Sequence, residues 1–511
     1  MPIDFEKQQL HDPNNADMQT LLSALQGNIL KGHGRDHTVH IFVKFDNSDV
    51  VKLRQHLKNF AAKTVTSALQ QHVESEQFKK FKIPGAIFGN LFLTAGGYRA
   101  LGFTDGQLNE IFEDSFFRDG MIARSGEFND PPPVKWEEGY QSGKIDAMIL
   151  LGDDDKEFLL RQARLLINEL DAFCEILVIE QGEALRDKVT NEGIEHFGYV
   201  DGRSQPIYLE SDEKNEGKMD KWNPAEPLNI VLTKDRTVSG GEHWGSYFVF
   251  RKLEQNVLGF KTRELELADE LGFKGEEKER AGAMVVGRFE DGTPLILTPT
   301  DGFIPKKENN FDYSIDDDRI DPNDPTKTIP GGLKCPYQAH IRKANPRGDS
   351  VRRLGASERD ERNHRVTRRG IPFGKRDKHP NDAQSLADYP TRDVGLLFMC
   401  FQAGIENQFA FMQSSWVNEE RFVRGLKPGE QTTGIDPVIG QNPAGTIPVP
   451  QLWRPHYGGE TKPDNLDDAE LKEFSFNNFV KMKGGEFFFA PSMAFLGSFA
   501  MPDTAAGPDN A

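Results

Sequence analysis

The sequence predicts an α+β fold, with helices laid on one face of an antiparallel sheet. Three observations carry that expectation. Short runs alternate with period two, as at Val39, Ile41, Val43 and Phe45. Amphipathic runs with helical spacing stand between them, as at Leu53, Leu57 and Phe60. The same alternation of strand and helix is used once in each half of the chain.

In chain order, 21–32 (LLSALQGNILKG) reads as a short helix ending in a glycine turn, followed by the strand from Val39 and a helix over 51–62. Residues 86–93 are strand-like, and 94–102 (TAGGYRALG) turn into a helix. Ile145 to Leu151 is a buried strand. Asp155 is placed to cap a helix over 156–173, where Leu159, Ala163, Leu166, Leu170 and Phe173 recur at helical spacing. A strand over 174–179 follows. Residues 209–225 are polar and charged and mark a linker, which divides the chain into domains 1–215 and 216–511. The second half offers a strand at 246–251, helices at 264–271 and 276–284, a strand at 396–401, a helix at 405–413 and a last strand at 486–489. A long acidic loop spans 300–332, with Asp316, Asp317, Asp318, Asp321 and Asp324. It lacks the glycine that a calcium-binding loop needs at its sixth position.

Length fits two or three domains, since 511 residues exceed what one core organises. Lysine plus arginine total 62 and aspartate plus glutamate 80, a net charge of −18. That balance argues against nucleic-acid or anionic-membrane partners, which call for a basic surface. The three cysteines (Cys174, Cys335, Cys400) are far apart and form no disulfide framework or metal spacing. The opening residues show no signal peptide, and no apolar run is long enough to span a membrane, so the expected location is cytoplasmic. His33, His37 and His40 would share a face only on a helix, which the flanking glycines and strand pattern oppose. Neither a Walker phosphate loop, nor a dinucleotide fingerprint, nor a Gly-x-Ser-x-Gly elbow is present.

The chemistry concentrates between Cys335 and Gly374. His340 lies in AHIRKANPR, and paired arginines precede a Gly-Ile-Pro turn in RRGIPFG. An imidazole beside clustered arginines reads either as a solvated helix face or as a ligand for a metal or haem, with guanidiniums for the carboxylates of a redox cofactor. A second stretch, FGYVDGRSQP at 197–206, adds an acid, Asp201, held on a turn between glycines.

These motifs together resemble the dye-decolorising peroxidase family: GYVDG (198–202), AHIRKANPR (339–347) and RRGIPFG (368–374), with QGNILKG (26–32), GLLFMCFQ (395–402), GIDPVIGQ (434–441) and GGEFFFAPS (484–492) in family order. The subgroup resembled is the one with long insertions. The resemblance implies two ferredoxin-like domains, each an antiparallel sheet with packed helices, and one haem b per chain. It implies a peroxidase that uses hydrogen peroxide to oxidise dyes, phenols and other aromatic one-electron donors through an oxyferryl intermediate, acting as a monomer or homodimer. His340 matches the iron ligand, and Asp436 its hydrogen-bond partner, with Asp393 as the fallback. Asp201 and Arg368 match the catalytic acid–base and its arginine. Arg347 matches a residue that pairs with a haem propionate. Gly202, Arg203 and Ser204 are expected at the haem edge, and Leu396 and Phe398 on the same strand face above it. Trp416 matches a tryptophan that some relatives use to pass electrons, although an ordinary core position explains it as well. Phe373 stands where the family often has a tyrosine, which removes one radical route. Two alternatives remain open from sequence: a haem-handling or iron-release protein with incidental peroxidase activity, and an acidic α+β binding module without haem.

Overall fold

Nine strands define the frame: β1 (His37–Phe45), β2 (Phe88–Leu93), β3 (Ala147–Asp153), β4 (Cys174–Glu183), β5 (Trp244–Gln255), β6 (Thr367–Arg368), β7 (Ile371–Phe373), β8 (Gly395–Gln402) and β9 (Val480–Ala490). The computed structural model describes residues 3–213, 224–302, 310–316, 319–321, 324–329, 332, 334–426, 432–455 and 471–499. The strands run in the order β6–β8–β5–β9–β2–β3–β1–β4, with β7 also on β8. Their pairings are antiparallel. Strands β1 to β4 come from the first half of the chain and β5 to β9 from the second. The halves meet where Phe489 pairs with Leu93. The expected boundary at 215/216 lies outside the described residues.

The sheet curls until its ends approach. A side chain at Gly182 on β4 would come within 2.5 Å of Ile371 Cγ2 on β7 and Thr38 Oγ1 on β1. Only hydrogen fits there, so β4 can lie against the second-half strands. The enclosed space is filled by phenyl rings from both halves. Phe92 stacks on Phe248 at 4.3 Å, and Phe42 meets Phe250 edge-on at 4.8 Å. Phe401 and Phe488 complete the cluster, and all six rings are buried. Phe92→Ala would leave a ring-sized void that such dense packing cannot close. A loss of about 3–5 kcal/mol is expected, read as a shift in the denaturant midpoint.

Helices sit on the outside and are capped as their sequences direct. Asp49 accepts from the Lys52 N–H at the start of Val50–Thr64. Asp155 does the same for Phe158 at the start of Lys156–Leu170, which buries Leu159, Ala163, Leu166 and Leu170. Three expectations need correcting. The first helix is Ala16–Ala24, not 21–32. Its run stops because the Gln26 side chain leaves to bind Leu91 N (3.0 Å), Leu91 O (2.8 Å) and Pro491 O (3.1 Å). The helix Ala68–Phe81 was not expected, because its apolar stripe is weak: Val73, Phe78 and Phe81 face solvent. The helix expected at 405–413 is instead two π-helical stretches, Glu406–Ala410 and Met412–Val417.

The acidic stretch 300–332 is described only in part; Asp317 and Asp318 lie outside the described residues. Within it Arg319–Asp321 pairs antiparallel with Asp324–Ile329, so Asp321 and Asp324 are strand residues and not loop. Among the described residues no group of three or more histidine, cysteine, aspartate or glutamate side chains is placed to hold a metal ion. Nor is any helix among them long and apolar enough to cross a membrane.

Candidate active site

Period-two alternation gives the second-half strands two different faces. Phe248 and Phe250 of β5, and Leu397, Met399 and Phe401 of β8, point into the ring-filled interior. Their neighbours Arg251, Leu253 and Gln255, with Leu396 and Phe398, point the other way and wall a large cavity. Val480 and Met482 of β9 extend this wall. The facing wall carries His340, Ile341, Ala344, Phe409, Met412, Gln413, Val438 and Ile439. The loop from Glu195 to Pro206, together with Arg288, Arg347 and Arg368, closes the rest.

His340 is the first residue of a five-residue helix, His340–Ala344. Its Nδ1 lies 2.8 Å from Asp436 Oδ2. Asp436 is fully buried, and its Oδ1 accepts from the backbone N–H groups of Val438 (2.8 Å) and Ile439 (2.9 Å). Three donors therefore fix one carboxylate, which in turn fixes the ring and leaves Nε2 as the nitrogen available to a ligand-seeking metal. Asp393, the fallback partner, is 84 % exposed beside Arg392 and plays no part here.

Asp201 faces the same cavity and meets Arg368, whose Nη1 donates to Oδ1 at 2.7 Å. The loop that holds it is built from its own backbone. The Asp201 N–H donates to Gly193 O, and Gly198 and Gly202 take positive φ values of 102° and 85°. Burial pushes the Asp201 carboxyl up. The charge of Arg368, the Gly202 N–H and the guanidinium hydrogen bond outweigh it, with a smaller pull from His340, and hold it below the ordinary carboxylate value. Arg368 is held by its own backbone N–H on Gln205 Oε1 (3.1 Å) and by Nη2 on Arg203 O (3.3 Å). Arg369 points away and grips the Asn28 and Ile29 carbonyls at 2.7 and 3.0 Å.

The remaining expected residues divide. Gly202, Arg203, Ser204, Arg347, Leu396 and Phe398 all line the cavity. Arg203 is also bonded to Glu192, with Nε at 2.8 Å, and to Gly292 O. Ser204 Oγ accepts from Arg288 Nη2 at 2.9 Å. Trp416 does not reach the cavity; it is buried against Phe422, with ring centroids 5.4 Å apart and nearly parallel.

Two contributors escaped the sequence. Glu195 lines the cavity and ties the loop together, accepting from Phe197 N (2.8 Å), Tyr199 N (3.1 Å) and Gln255 Nε2 (2.5 Å). Burial holds its carboxyl up at about 7 despite those donors. Arg288 is buried, and its guanidinium and that of Arg347 both lie over the Phe311 ring, at 4.4 and 4.5 Å. Burial pushes Arg288 well below its usual range, and the charges of Arg203, Arg347 and Arg368 add to the effect. The only sequence signals were a carboxylate two residues before the FGYVDGRSQP stretch and a lone arginine in an apolar run.

The arrangement suits a haem. A largely apolar space is bounded by an imidazole whose other nitrogen is anchored to a buried carboxylate. One edge crowds several guanidiniums, a wall that favours two carboxylates.

Known proteins resemble this chain over nearly its whole length. The family model "DyP dimeric alpha+beta barrel domain" matches residues 24–183, and "Dyp-type peroxidase, C-terminal" matches 223–424. The multifunctional dye peroxidase DyP2 of an Amycolatopsis species is 38% identical over 98% of this chain and 100% of its own length. The solved structure of that enzyme superposes with a TM-score of 0.84, covering 97% of this chain and 100% of the other. An Anabaena DyP-type peroxidase superposes at 0.81 with 37% identity, covering 97% and 98%. A dye-decolorizing peroxidase in complex with 2,6-dimethoxyphenol superposes at 0.70 with 28% identity, covering 93% and 98%.

Proposed function

The chain belongs to the Dyp-type peroxidase family, and on that premise we propose that it binds one haem b between His340 and the Asp201–Arg368 pair and uses hydrogen peroxide to oxidise dyes, phenols and other aromatic donors. The observation that carries this reading is one cavity lined by two unlike polar pairs. The first is an imidazole locked to a buried carboxylate; the second is a carboxylate kept ionised by a guanidinium. Haem, when bound, supplies the redox centre, iron and porphyrin together, that takes up the two oxidising equivalents of peroxide and passes them to donors one electron at a time.

Each side chain has a task toward that cofactor and its substrate. His340 offers Nε2, with Asp436 fixing the ring and raising its basicity. Arg347 and Arg288 suit the propionates, and Gly202, Arg203 and Ser204 border the same edge. Leu396 and Phe398 present apolar surface that limits water. Asp201 takes the proton from one peroxide oxygen and delivers it to the other, so that the departing oxygen leaves as water. It can start that cycle because Arg368 keeps it ionised. Arg368 also stabilises negative charge that builds on the departing oxygen.

Haem binding through His340 is tested by absorption. The purified or reconstituted protein is expected to show a Soret band near ~400 nm. His340→Ala is expected to lose most of the haem on gel filtration and all dye oxidation. A wild-type protein that takes up no haem, or a variant that keeps it unchanged, would overturn the reading.

A further inference from the structure

Lys343 lies one turn beyond His340 on the same short helix and is buried, at 1% exposure. Its Nζ donates to two backbone carbonyls, Phe422 O at 2.7 Å and Gly434 O at 2.5 Å. Gly434 opens the segment that carries Asp436, and its N–H donates to Glu420 O at 3.0 Å. The amine thus ties the turn around residue 422 to the loop that holds the partner of His340. Burial pulls the amine down to about 7, while the charges of Asp436, Glu419 and Glu420 pull it back.

We propose that Lys343 is a positioning residue for the iron ligand: its ammonium fixes the Asp436 loop and offsets, from behind, the electron donation that Asp436 makes through the hydrogen bond to His340. An ammonium beside a carboxylate in a dry site weakens the field that carboxylate exerts on its other neighbour. Less negative character then reaches the imidazole, and the iron it holds is easier to reduce. The inference rests on haem being held through His340.

Two roles for Lys343 give shifts of opposite sign. If it acts through its charge, removing that charge strengthens donation from Asp436 and lowers the reduction potential. If it only staples the loop, its loss loosens the His340–Asp436 bond and raises the potential. Lys343→Gln keeps a donor for the carbonyls and removes the charge. The holoenzyme is measured at pH 6, on the acid side of the value to which burial draws the amine, by spectroelectrochemical titration and by the ferrous iron–imidazole stretch in resonance Raman.

We expect a more negative midpoint and a higher stretching frequency than in the wild type. An unchanged or more positive midpoint overturns the proposal. Should the Gln variant not fold, Lys343→Asn, which likewise keeps an amide donor and removes the charge, is read by the same criteria. A wild-type enzyme with no iron–imidazole band would instead remove haem ligation by His340. A band that is present but unmoved by the substitution removes only the role of Lys343.

Discussion

Asp201→Asn is expected to slow the reaction of the holoenzyme with peroxide by about 10²–10⁴-fold, the range that general acid–base groups contribute. The amide has nearly the same shape as the carboxylate, but it cannot take up a proton at working pH and return it. Its NH₂ can also turn toward Arg368, so that a donor faces a donor where Oδ1 now accepts at 2.7 Å. Haem content is expected to stay at the wild-type level, because the substitution leaves the His340–Asp436 pair untouched. Stopped-flow absorbance after mixing with peroxide measures the effect. A variant that reacts at the wild-type rate would remove Asp201 from the proton path.

Arg368→Leu is expected to be nearly as severe, and its pH dependence separates two contributions. The loss of a fixed donor toward developing charge costs about 10²–10³-fold. The second contribution acts through Asp201. Burial is the largest influence on that carboxyl and pushes it up; Arg368 is the leading influence that brings it below its ordinary value of 3.8. The working form is the ionised one, so wild-type activity persists as pH falls until it passes that depressed value. Without Arg368 burial prevails, the carboxyl protonates at higher pH, and the acid limb of the rate profile moves up. An acid limb that stays in place would show that Arg368 does not hold Asp201 ionised. Arg368→Lys keeps the charge but lacks the fork that also reaches Arg203 O, so it is expected to restore the acid limb while recovering only part of the rate.

The residues most exposed to reading from sequence were those set in short, unusual motifs. Asp201 between two glycines, His340 ahead of a basic run and Arg368 before Gly-Ile-Pro stand out because each needs a particular backbone around it. The strands β1, β3 and β8 were legible for a different reason: burial on a curved sheet enforces a regular apolar pattern. What stayed hidden depends on partners distant in sequence. Only the fold shows that Asp436 is buried against His340 while Asp393 is in solvent. Glu195 is one acid among 80 until three donors are seen to converge on it. Trp416 carries a suggestive motif, yet its indole packs into the core and does not reach the cavity. The helix Ala68–Phe81 was missed because its stripe is not apolar enough to announce a buried face.

Arg369 gives the site a timetable. Its guanidinium clasps the backbone of Asn28 and Ile29, partners 341 and 340 positions away. Gln26, a few residues earlier, reaches Pro491 across 465 positions. Contacts of such span form late, after the intervening chain has been made and its loops closed. The segment around Asn28 and Ile29 can therefore brace the arginine pair only once the chain extends through Arg369, 341 and 340 positions further on. A chain that stops between His340 and Arg368 carries the histidine without the guanidinium that holds Asp201 ionised.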